Sequence, residues 1–187
     1  MPLLRPFLSA FLLFVSSVPC LGAGQGGPNL GGGGEVGERT VLSTEARQAM
    51  LLRHNEWRLH AGVLPLAWSD EMARAAGHWA LQLERGRGQP CDAQPSTDPY
   101  IGENMYWSSA YRWKDGRTAM QPLDPAYVVD QWAQQVDDLD PETGRCRPGR
   151  ICSHYQQLVE PSAREVGCAR LVCPALDQVW ICQYRLG

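Results

Sequence analysis

The chain has 187 residues, a formal net charge of −3 at neutral pH, and 44% hydrophobic side chains. That length suits one domain able to bury a core of its own. Its 17 basic residues, all but one arginine, are scattered among 20 acidic ones. No stripe suited to a phosphate backbone forms, which excludes a nucleic-acid partner.

The N-terminus has the n-region, h-region and cleavage-site order of a secretion signal. Arg5 supplies the positive charge, residues Pro6 to Pro19 are mostly apolar, and the small Gly22 and Ala23 follow. Residues 1–23 are therefore expected to be a signal peptide cut near Ala23, and the apolar run is too short and interrupted for a stable membrane span. Residues 24–39 contain Gly31 to Gly34 and are expected to form a flexible lead-in. The folded domain is expected over 40–187. Of seven cysteines, Cys20 leaves with the signal, and Cys91, Cys146, Cys152, Cys168, Cys173 and Cys182 remain. An even count behind a signal peptide implies three disulfides made in an oxidising compartment. The rival reading, a zinc ribbon, is poorly served by the spacing of Cys146 to Cys152 and of Cys168 to Cys173.

Ser43 and Thr44 are good caps for a first helix, whose inner face is Met50, His54, Trp57 and Ala61, and which Gly62 and Pro65 end. A second helix follows Trp68, capped near Ser69 or Asp70, with Trp68, Met72, Ala75, Trp79 and Leu83 facing inward. Residues 89–125 resist assignment. They hold Gly102-Glu103-Asn104-Met105 and a polar-aromatic loop with Tyr106, Trp107, Tyr111 and Trp113. Asp124 and Pro125 open a third helix that is expected to run to Leu139, with Val128, Trp132, Gln135 and Leu139 inward. Gln135 is the odd polar member of that face. Strands are expected at His154 to Val159, Glu165 to Cys173 and Gln178 to Arg185. If the last two form a hairpin around Pro174 to Asp177, the register sets Cys168 near Cys182. Three helices followed by an antiparallel sheet make an α+β protein with helices packed on the sheet.

Several short segments match one known family in order and spacing. They are His54-Asn55-Glu56-Trp57-Arg58, then Gly62-Val63 through Pro65-Leu66 to Trp68, then Gly102-Glu103-Asn104. Ser153-His154-Tyr155-Gln156-Gln157-Leu158-Val159, Val166-Gly167-Cys168-Ala169 and Ile181-Cys182-Gln183-Tyr184 complete the set. Together they resemble the CAP superfamily (cysteine-rich secretory, antigen 5 and pathogenesis-related 1 proteins; the SCP domain) over residues 46–184. The resemblance implies a three-layer α-β-α sandwich with a central antiparallel sheet, stapled by Cys91–Cys173, Cys146–Cys152 and Cys168–Cys182. Bridges of this kind add about 2–4 kcal/mol each, without full additivity.

Many members of that family line a central cleft with two histidines and two acids, and several hold a divalent metal there. Glu103 and His154 match two of the four. Residues 91–100 contain no histidine and offer Asp92, Gln94, Ser96 and Asp98, while the second acid is replaced by Gln135. Glu103 and His154 are left as the only metal-ligand candidates, half of a zinc site, so neither metal nor cofactor is expected. The two are expected to form a hydrogen-bonded pair that organises the cleft. Ser153 and His154, as strand neighbours, would point to opposite faces and make no nucleophile–base pair. His54 is expected to be structural, Asn55 and Arg58 to bond within the fold, and His60 and His78 to lie at the surface or the edge of the core. The resemblance implies a secreted, extracellular, non-catalytic protein that binds a sterol or fatty-acid ligand, or a protein partner. Tyr106, Trp107, Tyr111 and Trp113 are the candidate ligand contacts. The competing function is a metal-dependent hydrolase built on Glu103 and His154.

Overall fold

The computed structural model describes residues 39–85, 91–98 and 100–187. The expected signal peptide and all but the last residue of the glycine-rich segment lie outside them. The elements run α1 (Thr44–His60), β1 (Ala67–Trp68), α2 (Asp70–Arg85), β2 (Ile101–Ser108), β3 (Tyr111–Arg112), β4 (Thr118–Ala119) and α3 (Pro125–Ala133). A 3-10 turn (Gln134–Asp138), α4 (Ser153–Leu158), β5 (Ala163–Val172) and β6 (Gln178–Leu186) complete the chain.

The sheet order is β1-β5-β6-β2. It is antiparallel except for the two-residue β1, which runs parallel to β5. Alternation along β5 and β6 sorts side chains into two cores. Val166, Cys168, Trp180, Cys182 and Tyr184 join Met50, Val128, Trp132, Tyr155 and Leu158 in a core beneath α1, α3 and α4. Ala169, Leu171, Val179 and Ile181 join Ala76, Ala80, Leu81 and Leu83 beneath α2. The result is the α-β-α sandwich that the motifs imply.

The three disulfides are Cys91–Cys173, Cys146–Cys152 and Cys168–Cys182. Cys168 and Cys182 are direct partners across the β5–β6 hairpin, as its turn implies. Caps at Ser43 and Asp124 also match expectation, each side chain accepting a backbone N–H of the first turn.

Three expectations are corrected. The segment from His154 to Val159 is not a strand but the helix α4, with Gln156 N–H bonded to Cys152 O at 3.0 Å and Val159 N–H to Tyr155 O at 3.1 Å. As a strand it would put one glutamine on each face. As a helix, Tyr155 and Leu158 fall on one side, i to i+3, and bury together. Ser153 and His154 are thus helix neighbours rather than strand neighbours. They still diverge, so the absence of a Ser–His pair rests on helical geometry. Second, the α-helix from Pro125 stops at Ala133 and tightens into the 3-10 turn before Leu139. Third, α2 buries Met72, Ala76, Gly77, Ala80, Leu81 and Leu83, while Ala75 and Trp79 sit half-buried at its flank.

The start of α2 packs against the sheet at Gly167. The backbone of α2 at Ser69, Met72 and Ala73 lies directly against it, where any Cβ would collide. Ser69 N–H donates to Val166 O at 2.8 Å and fixes the contact. Gly167→Ala is therefore expected to cost about 3 kcal/mol or more, because fixed backbone must move. Gly102→Ala meets only the end of the Gln157 side chain and is expected to cost clearly less. Urea denaturation midpoints of both variants against the parent check this; equal losses would contradict it.

Candidate functional site

The site is built around α1. Met50, His54 and Arg58 recur at i, i+4, i+8 and are buried. His54 Nδ1 lies 2.7 Å from Met50 O, and Nε2 lies 2.9 Å from the Tyr184 hydroxyl. A carbonyl only accepts, so Nδ1 carries the proton and Nε2 accepts from Tyr184. Asn104 Nδ2 donates to the same hydroxyl at 3.2 Å and to His154 O at 3.0 Å. A line of buried hydrogen bonds thus runs from α1 through β6 and β2 to the start of α4.

Burial pushes the His54 imidazole down to about 4, from an ordinary 6.5. The unfolded chain takes up a proton below pH 6.5, and the native one resists until about 4. The stabilisation from a neutral buried ring is complete above 6.5 and is lost as the pH falls through that window. Its size is about 3 kcal/mol. The parent protein is expected to lose that much more stability than His54→Gln between pH 6.5 and 4, measured by urea denaturation. Parallel pH profiles would contradict it.

Glu103 and His154 are not the expected pair. Glu103 Oε1 accepts from Ser96 N–H at 2.9 Å, and Oε2 accepts from Gln183 Nε2 at 2.9 Å. Its strand neighbour Asn104 turns toward α4, and successive strand residues face opposite ways, so Glu103 and the Asn104–His154 contact lie on different faces of β2. Sequence alone does not reveal which face a residue of an edge strand takes. On the side of Glu103 lies an open depression of about 300 Å³ lined by His78, Trp79, Asp98 and Gln183, among others.

His154 is instead joined to Gln135. The Gln135 Nε2 lies 2.8 Å from His154 Nδ1, and Gln135 Oε1 accepts the His154 backbone N–H at 2.9 Å. Burial lowers the His154 pKa. The donor set does not fit a metal. Asp92 and Asp98 are turned to Gln94 and to the Tyr100 N–H, and among the described residues no three His, Cys, Asp or Glu side chains cluster suitably.

Tyr106 is half-buried edge-on to Tyr127, with ring centroids 6.4 Å apart. The other aromatic candidates stand outward: Trp107 is 48% exposed, Tyr111 47% and Trp113 45%. Tyr111 and Trp113 lie 5.8 Å apart on the β3–β4 hairpin, and Arg117 covers the Trp113 ring. Among the described residues, no helix is long and apolar enough to cross a membrane.

The model of the cysteine-rich secretory protein family, CAP, matches residues 51–184. The chain belongs to the CAP family. It is 33% identical over 120 residues to a PR-1-type pathogenesis-related protein of Sambucus nigra, covering 64% of each chain. It is 33% identical over 145 residues to the pathogenesis-related protein PRMS of Zea mays, covering 76% of this chain and 78% of that one. Among solved structures, venom allergen-like protein 4 of Schistosoma mansoni superposes with a TM-score of 0.55 at 18% identity, over 78% of this chain and 90% of that one. Hookworm platelet inhibitor gives 0.56 at 19% identity, over 78% and 71%. These likenesses carry the CAP fold.

Proposed function

We propose that this CAP protein is secreted and non-catalytic, and that it works outside the cell by binding a lipid or sterol-like ligand through its exposed aromatic residues. The observation that carries the reading is the outward placement of Trp107, Tyr111 and Trp113, each close to half exposed. Adjacent large rings left outside the core, as Tyr111 and Trp113 are, suit an interaction surface. Three disulfides support an oxidising, extracellular setting. Against the hydrolase reading stand the engagement of Glu103 by Ser96 and Gln183 and of His154 by Gln135, which leave no poised acid–base pair.

A protein partner on the same surface is the second reading. The Arg112–Asp177 and Arg117–Asp115 ion pairs around the hairpin suit a polar rim around an aromatic centre. Titration of the oxidised protein with phosphatidylcholine vesicles, with and without sterol, separates the two. Binding is expected, weakened about tenfold or more by Trp107→Ser or Trp113→Ser, since losing one buried aromatic contact is worth about 1.5–3 kcal/mol. Absence of binding, or binding indifferent to both substitutions, would contradict the lipid reading.

A further inference from the structure

The two contacts between Gln135 and His154 determine each other's polarity. The His154 backbone N–H can only donate, so the amide oxygen of Gln135 must face it. That turns the amide NH2 toward the ring, where it lies 2.8 Å from Nδ1. An amide NH2 can only donate, so Nδ1 must accept, and the proton of the neutral imidazole sits on Nε2. His154 Nε2 has no hydrogen-bond partner among the described residues, and it is not among the buried polar atoms left without one. The His154 residue as a whole is half-buried.

We infer that Gln135 decides the ligand chemistry of this position: it holds His154 as an Nε2–H donor that meets an acceptor oxygen, and denies both ring nitrogens to a divalent cation. The inference rests on reading the protein as non-catalytic. Freeing the Nε2 lone pair would require the proton to move to Nδ1, where it would face the Gln135 NH2, donor against donor. The amide cannot simply flip, because its oxygen would then abandon the His154 N–H at the start of α4. Cys152, the residue that caps this helix, gives it no side-chain hydrogen bond, so Gln135 does that work from a neighbouring element.

A carboxylate at 135 would keep both contacts and reverse one. It accepts the His154 backbone N–H as before and also accepts Nδ1–H, leaving the Nε2 lone pair outward. This is the arrangement by which a carboxylate orients a metal-binding histidine. One change from NH2 to O thus separates a hydrogen-bond donor from a metal ligand, and Gln135→Glu should preserve the fold because the helix start stays capped.

Long-range 1H–15N spectra of the labelled, oxidised protein at pH 8.5 read the tautomer of His154 directly, with His54 as the internal reference for folding. The parent is expected to show Nε2–H and Gln135→Glu to show Nδ1–H. The inference is overturned by an Nδ1–H parent or by a variant that keeps Nε2–H. Vesicle binding plays no part in this readout, so the two proposals fail separately.

Discussion

A guanidinium removed from water must recover its hydrogen bonds from the protein, and Arg58 recovers them from four backbone carbonyls. Its side chain reaches Leu64 O at 2.7 Å, Leu158 O at 3.0 Å, Glu160 O at 3.1 Å and Ala163 O at 3.3 Å. These carbonyls belong to the loop after α1, the end of α4, the following turn and the start of β5. A planar fork of donors suits the task, since a single ammonium cannot span four directions. Burial lowers the Arg58 pKa, but nearby carbonyls offset the desolvation with directed bonds. Asn55 adds a reciprocal pair with Leu66, donating to its carbonyl and accepting its N–H. One face of one helix thereby holds the irregular backbone on this side of the sheet.

The same face reaches the candidate site. His54 hands the polar line to Tyr184, and Asn104 joins Tyr184 to the carbonyl of His154. The position of α4, and with it the Gln135–His154 contact, depends on a network rooted in α1. Two of the disulfides act elsewhere: Cys168–Cys182 pins the hairpin within the core beneath α1, and Cys91–Cys173 ties the segment after α2 to the end of β5. The third, Cys146–Cys152, meets the polar network at the start of α4. The aromatic hairpin lies outside both.

Much of this was legible in the sequence, and the exceptions have physical reasons. Caps at Ser43 and Asp124, the opposition of Cys168 and Cys182, and the buried role of His54 follow from local chemistry and period, so they could be read before any packing was known. The helix α4 could not, because six residues give too few turns for a period to declare itself. The buried face of α2 differs by one position from the one the period suggests, and its close contact with Gly167, a hundred residues away in the chain, is not visible locally. Glu103 faces away from His154, and nothing local says which way an edge strand faces. Gln135 reads in the sequence as a missing acid. Only the contact with His154 gives it a positive role, as a donor to one atom and an acceptor from another.

The dependence of the fold on the α1 polar face is exposed most directly at the Leu66 amide. Leu66 lies in the loop before β1, and its N–H is held by the side chain of Asn55 alone, at 2.8 Å. Native-state hydrogen exchange is expected to find this loop amide as protected as the core of β6, exchanging only with global unfolding. Exchange at the rate of an ordinary exposed loop would mean that the α1 side chains decorate the fold rather than hold it.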